Sequence, residues 1–487
     1  MKNNNLSALC LFVLLTLFSV QSYAGTLIIQ NNSNQPIICK TGNTRASYEH
    51  VEIAPAKSLH LSPNLQNGLS IIDWVKCGRL EHNNIGVTAT SSDHFFLYNN
   101  QAEDVLSVLL YPYIPTYPFG DFSTLLKKLV TEFQAQSPKI SLNAVMSESP
   151  EYDVYTYANF AKLLGKDGFD IVETDTMLLA YLVESGFILP IDAASTSNFW
   201  PAAIEAASYK DKLYGIPSWM CMEFLYARDP KIAEITSLFT LVDYLNNLPQ
   251  DRTRLIGVFN GSWTIPPLYL NAYTALYGYK DIEKIPYQQP TNEVVKNLVY
   301  LTDQCVYNKE NKCTNGFYHD LNEGKIPKLF AQKNSHAYIG FSEHSFYMRL
   351  FDKTPFYAAP VPFGKEINTL TYTDAYVKNA VRCNTDSCTA AFKAFTDYMS
   401  KLETRQWIVY SKDLPTDMPP RRLLPAIRKF YDKTSDDYPD GIYENFAKIA
   451  PNVRASPHIS KDRKAQFNIE ICKIIKTISP DYHCSTS

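Results

Sequence analysis

The chain has 487 residues, with 46 Lys plus Arg against 49 Asp plus Glu and a formal net charge of −3. That balance offers no basic excess for nucleic acid and no acidic tail. The length exceeds one compact domain and predicts two or three, and the 33 tyrosines supply flat faces with polar tips that suit ligand recognition as well as core packing.

Lys2 precedes an apolar run from Leu6 to Val20, followed by Gln21 and the small-x-small pattern Ser22-Tyr23-Ala24. This reads as a secretory signal peptide over residues 1–24, cut after Ala24, because the run is shorter than the roughly 18–20 residues of a membrane span. The mature chain is therefore expected to be exported, periplasmic or extracellular, and without a membrane span.

Export places the thiols in an oxidising compartment. Once Cys10 leaves with the signal, nine cysteines remain, at 39, 77, 221, 305, 313, 383, 388, 472 and 484. Proximity pairs Cys39 with Cys77, Cys305 with Cys313, Cys383 with Cys388 and Cys472 with Cys484. A metal held by the close pairs is the alternative, but no histidine falls at a zinc-type spacing from them. Cys221 is left over, inside Tyr214-Gly215-Ile216-Pro217-Ser218-Trp219-Met220-Cys221-Met222-Glu223-Phe224. Its context allows an inert buried thiol as readily as a reactive one.

Residues 25–104 read as a small all-β module. Short β-like runs at Thr26–Gln30, Tyr48–Ile53, Ser58–Leu61, Ser70–Ile72, Gly86–Thr90 and Phe95–Tyr98 are separated by Asn, Ser, Pro and Gly turns. From residue 105 to 487 the texture alternates. Leu106–Tyr111, Ile140–Val145 and Phe169–Glu173 read as strands, and Phe122–Gln134, Phe160–Leu164 and Thr176–Glu184 as helices. Such alternation predicts α/β layers, whose ligands meet the carboxyl ends of strands. Helical periodicity recurs at Leu268–Leu276, Thr291–Thr302, Thr389–Lys401, Leu424–Tyr431 and Phe467–Ile478.

Polar and aromatic residues collect at strand ends, in Tyr111-Pro112-Tyr113-Ile114-Pro115, in Asp170-Ile171-Val172-Glu173-Thr174-Asp175, in Gly340-Phe341-Ser342-Glu343-His344 and in Tyr372-Thr373-Asp374-Ala375-Tyr376. Asp175 can cap a helix or bind a ligand, and the two roles are compatible. His344 and Glu223 read as structural side chains. There is no Gly-rich phosphate loop, no His-Glu-x-x-His and no Gly-x-Ser-x-Gly.

Taken in order with Gly-Ile-Pro-Ser-Trp-Met-Cys, these segments resemble thiaminase I (thiamine pyridinylase), from about Val105 to about Pro451. The resemblance does not reach the β module. It implies a two-lobed fold like group II periplasmic binding proteins, with the site in the central cleft. In that family a cysteine adds to the pyrimidine of thiamine, the thiazole leaves, and an external base or thiol displaces the enzyme. By motif, Cys221 is then the nucleophile, Glu343 the base that activates it, Asp175 and Asp374 the aminopyrimidine ligands, and Tyr113 and Tyr372 pocket walls. Phe341 departs from a family tyrosine, so one hydroxyl contact is missing. The implied protein is a monomer that takes thiamine plus a nucleophilic base or thiol, with no metal or organic cofactor. The rival reading on the same fold is a solute-binding protein, which would need an aromatic cleft but neither a free cysteine nor a base. A third is a surface protein whose β module binds a partner.

Overall fold

A computed structural model describes residues 27–482 apart from 43–50, 62–71, 79, 88–91, 99–100, 118–119, 148–151, 155–156, 193–195, 262–263, 319–324, 364–368, 434–439, 460 and 481. The expected signal peptide lies outside the described residues. No helix among them is long and apolar enough to cross a membrane.

Two sheets of the α/β region divide the chain into lobes. The first has ten strands, in the order Leu424–Pro425, Gly215–Cys221, Leu370–Lys378, Ile171–Asp175, Asp104–Leu109, Ile140–Ser147, Ser92–Tyr98, Leu27–Asn31 and Ser58–Leu61, with Arg454–Ala455 beside the Leu370 strand. Strand Leu370–Lys378 is buried at every position, as expected of a central strand covered on both faces. The second sheet has four strands, Thr253–Ile256, Ser335–Phe341, Glu223–Ala227 and Tyr357–Pro360. Only Met222, itself buried, separates the last residue of strand Gly215–Cys221 from the first of strand Glu223–Ala227. The backbone thus passes from one lobe to the other beside Cys221.

Helix Ser123–Gln136 shows why the layers hold. Leu125, Leu126, Leu129, Val130 and Phe133 recur at helical spacing, form one buried stripe, and pack on strands Ser92–Tyr98 and Ile140–Ser147. Each such side chain contributes roughly 1.5–3 kcal/mol by leaving water.

In the N-terminal region, residues Ile37–Gly42, Val51–Ile53, Ile72–Cys77 and Leu80–Val87 form a four-stranded sheet with its own small core. Cys39 and Cys77 face each other across it and are joined by a disulfide. The other strands of this region lie elsewhere. Ser92–Tyr98 pairs with Ile140–Ser147, so the ten-stranded sheet runs continuously across residue 104. Alternation along a strand specifies a buried face but not which neighbour the edge finds.

Cys305–Cys313 and Cys383–Cys388 are also bonded, and Cys221 is the free cysteine among the described residues. Cys472 is disulfide-bonded, while Cys484, its expected partner, lies outside the described residues. The helix expected at Leu424–Tyr431 is replaced by a short strand, Leu424–Pro425, and a 3-10 turn, Arg428–Lys433. The edge of the ten-stranded sheet takes this segment instead, pairing Leu424 with Met220 and Pro425 with Trp219.

Candidate active site at the lobe junction

The carboxyl ends of the first lobe's parallel strands converge on one edge. Antiparallel pairing sets Asp175 directly opposite Asp374, and Cys221 directly opposite Tyr372. The Cys221 thiol donates to Asp374 Oδ2 at 3.6 Å. From the second lobe, Glu223 and Phe341 pair at the adjoining edge, and Glu343 follows two residues after Phe341. A cavity of about 370 Å³ lies between the two edges, lined by Tyr111, Tyr113, Asp153, Asp175, Met177, Cys221, Glu223, Thr264, Pro267, Phe341, Glu343 and Tyr372. Of the six residues singled out from sequence, five line this cavity, and Asp374, only 2% exposed, sits behind the wall against Cys221.

Local bonding holds each wall. The backbone N–H of Tyr111 donates to Glu173 Oε2 at 2.9 Å, and the Tyr111 and Tyr113 rings lie 5.3 Å apart. The loop beyond them is tied by Arg421, fully buried, which donates to the Pro115 carbonyl at 2.6 Å and forms a bidentate pair with buried Asp413 at 2.6 and 2.7 Å. On the other side, the Tyr226 hydroxyl donates to the Phe341 carbonyl at 2.8 Å, fixing the turn that carries Glu343. Gly340 is required there, because a Cβ would meet Tyr338 Oη at 2.2 Å and His344 Nδ1 at 2.5 Å. Asp175 does cap the following 3-10 turn, accepting from the Met177 N–H at 2.7 Å, while also facing the cavity.

Burial dominates the electrostatics. It raises the Glu343 carboxyl to about 7 against the weaker opposing effect of local hydrogen bonds, one from Ser342 Oγ at 3.1 Å. Asp175 is raised by burial to about 6, with the Met177 N–H and the Lys464 ammonium acting the other way. Asp374 stands well above the ordinary carboxylate range, first from burial and then from the charges of Asp175 and Glu173. The Cys221 thiol is pushed well up by burial, then by Asp374, Glu343 and Asp175. A thiol so placed is protonated at neutral pH and needs a base; a carboxyl near 7 can take a proton and return it.

His344 does not line the cavity. Desolvation pushes its half-buried ring down to about 3 and it bonds the Tyr338 hydroxyl, so it is a neutral structural group. Glu223 departs from the structural role expected of it. It faces the cavity, burial raises it to about 7, and its Oε2 is buried without a hydrogen-bond partner. Its spacing of two from Cys221 was the one sequence signal for this placement. Nothing in the sequence pointed to Asp153, Thr264 or Pro267. No group of three or more metal-ligating side chains occurs among the described residues.

Two sheets bridged beside a cleft, with polar strand ends facing inward, define a two-lobed α/β protein of the periplasmic-binding-protein type. Maltose-bound MalE3 of T. maritima has this fold, matching with a TM-score of 0.59 at 12% identity over 78% of this chain and 96% of that one. The chain resembles thiaminase I in particular. It is 25% identical over 374 residues to Thiaminase-1 of Paenibacillus thiaminolyticus, covering 72% of this chain and 83% of that protein. The structure of thiaminase I from Bacillus thiaminolyticus matches with a TM-score of 0.61 at 21% identity, over 76% of this chain and 99% of that one. No family model matches the sequence.

Proposed function

We propose that this chain is a thiamine-degrading transferase of the thiaminase I type, exchanging the thiazole of thiamine for another base or thiol through a covalent cysteine–pyrimidine intermediate. The observation that carries the reading is the shared cavity: the free Cys221 thiol, bonded to Asp374, faces the same space as a carboxyl poised near 7, Glu343. The likeness to Thiaminase-1 of P. thiaminolyticus supports the substrate, as does the matching structure of Clostridium botulinum thiaminase I in complex with thiamin, with a TM-score of 0.59.

In this reading Glu343 takes the Cys221 proton as Sγ bonds to the pyrimidine ring. The bond from the bridging methylene to the thiazolium nitrogen then breaks, its electron pair going to nitrogen, and neutral thiazole departs. Asp175 meets the aminopyrimidine, Asp374 holds the Cys221 thiol from behind the cavity wall, and Tyr113 and Tyr372 flank the ring's plane. The chain acts as an exported monomer whose partners are thiamine and the accepting nucleophile.

Incubation with thiamine and pyridine, followed by mass spectrometry of the products, tests this directly. The pyridine-exchanged pyrimidine is expected with the wild type and not with Cys221→Ser. Tight thiamine binding without exchange in the wild type would instead favour a solute-binding receptor, a reading that the MalE3-like fold alone also supports.

A further inference from the structure

The second lobe presents two carboxyls to the cavity, and the reaction needs two. Glu343 has one task in the first half of the exchange, holding the proton that left Cys221. That same proton must return when the cysteine departs as a thiolate. An incoming amine or thiol brings another proton, which has to go elsewhere.

Glu223 is placed to receive it. It opens strand Glu223–Ala227, two residues after Cys221 across the lobe junction, and pairs with Phe341, which itself lies two residues before Glu343. Glu223, Phe341, Glu343 and Cys221 all line the one cavity. Oε2 of Glu223 is shielded from solvent and accepts no hydrogen bond. Leaving a buried acceptor unpaired is costly to a fold. An unpaired acceptor on the wall of this cavity is placed to meet a ligand that brings its own donor.

We propose that Glu223 is the general base for the incoming nucleophile, while Glu343 serves only the cysteine. This rests on the thiaminase-type reading above. As the acceptor attacks the methylene carbon that the thiazole left, the new bond forms there, its N–H or S–H proton passes to Glu223, and an electron pair moves through the ring toward the carbon that holds sulfur. The Sγ–carbon bond breaks with its electron pair on sulfur, which regains the proton from Glu343. Glu223 then yields its proton to water. One proton is released per thiamine consumed with an N–H or S–H acceptor, and none with pyridine, which has no proton to lose and leaves as a pyridinium product.

That difference supplies the test. With the full-length protein and thiamine, kcat/KM is measured for aniline and for pyridine as acceptors, in the wild type, Glu223→Gln and Glu223→Asp. The ratio of aniline to pyridine exchange is expected to fall by about 100- to 10,000-fold in Glu223→Gln, the usual contribution of a general base, and to recover in part in Glu223→Asp. A lost packing role would slow both acceptors alike, so a ratio unchanged from the wild type overturns the proposal. The wild type gives a second readout that needs no folded variant. Glu343 acts in both reactions and cancels from the ratio, so the ratio is expected to fall as pH drops below about 7, where burial holds Glu223. A flat ratio there would also overturn it. Wild type that exchanges neither acceptor would refute the thiaminase-type reading itself, an outcome distinct from an unchanged ratio in an active enzyme.

Discussion

Replacing Glu343 with Gln is expected to stabilise the protein while removing its activity. Burial moves this carboxyl from 4.5 to about 7. At about 1.4 kcal/mol per tenfold change in proton affinity, the displacement corresponds to about 3 kcal/mol. The unfolded chain ionises above about 4.5 and the folded one only above about 7, so the fold loses stability progressively between those values and carries the whole cost above them. The amide of the variant carries no charge and escapes the cost. Urea denaturation of both proteins should therefore show Glu343→Gln more stable by up to about 3 kcal/mol at pH 8, with the gap closing toward pH 4.5. Wild type more stable at pH 8, or a gap independent of pH, would refute the argument that this carboxyl is held neutral by desolvation. In the same samples thiamine exchange should fall by about 100-fold or more.

Asp374→Asn removes a charge that helps to keep the Cys221 thiol protonated, so iodoacetamide should alkylate Cys221 faster at a given pH; slower alkylation would contradict the placement. Arg421→Ala breaks a fully buried ion pair and frees the Pro115 carbonyl. It should cost about 3–5 kcal/mol in denaturant and raise KM for thiamine by loosening the loop that carries Tyr113. Cys39→Ser with Cys77→Ser opens a span of 38 residues, worth about 4 kcal/mol by chain entropy. Hydrogen exchange should rise at residues 37–42 and 72–77, while thiamine exchange is retained.

The strand-end rule made much of the site readable from sequence. Asp175 ends strand Ile171–Asp175 and Tyr113 follows strand Asp104–Leu109, whereas Asp374 lies mid-strand in Leu370–Lys378, and cysteine arithmetic isolated Cys221. The partners across the cleft were another matter. Cys221 and Glu343 are 122 positions apart, and spacing along a chain cannot report which edges two sheets turn toward each other. Glu223 illustrates the limit. Its period-2 relation to Cys221 is visible in the sequence, yet a glutamate beside a buried strand usually finds a hydrogen bond, and only the structure shows that its Oε2 does not. The 424–431 segment has helical periodicity, but the edge of the ten-stranded sheet claims Leu424 and Pro425, which pair with Met220 and Trp219. Edge pairing likewise left no trace: strand Ser92–Tyr98 has the alternation of a free-standing module, and its union with Ile140–Ser147 is a tertiary choice.

The central claim is that Cys221 forms a bond with the pyrimidine half of the substrate. The most direct test is intact-mass and peptide-mapping spectrometry after brief acid quench of the protein with thiamine and no added acceptor. The account predicts a pyrimidinyl adduct on the peptide containing Cys221, absent from Cys221→Ser and discharged by adding pyridine. Turnover of thiamine with an unmodified Cys221 peptide, or an adduct on another residue, would contradict it.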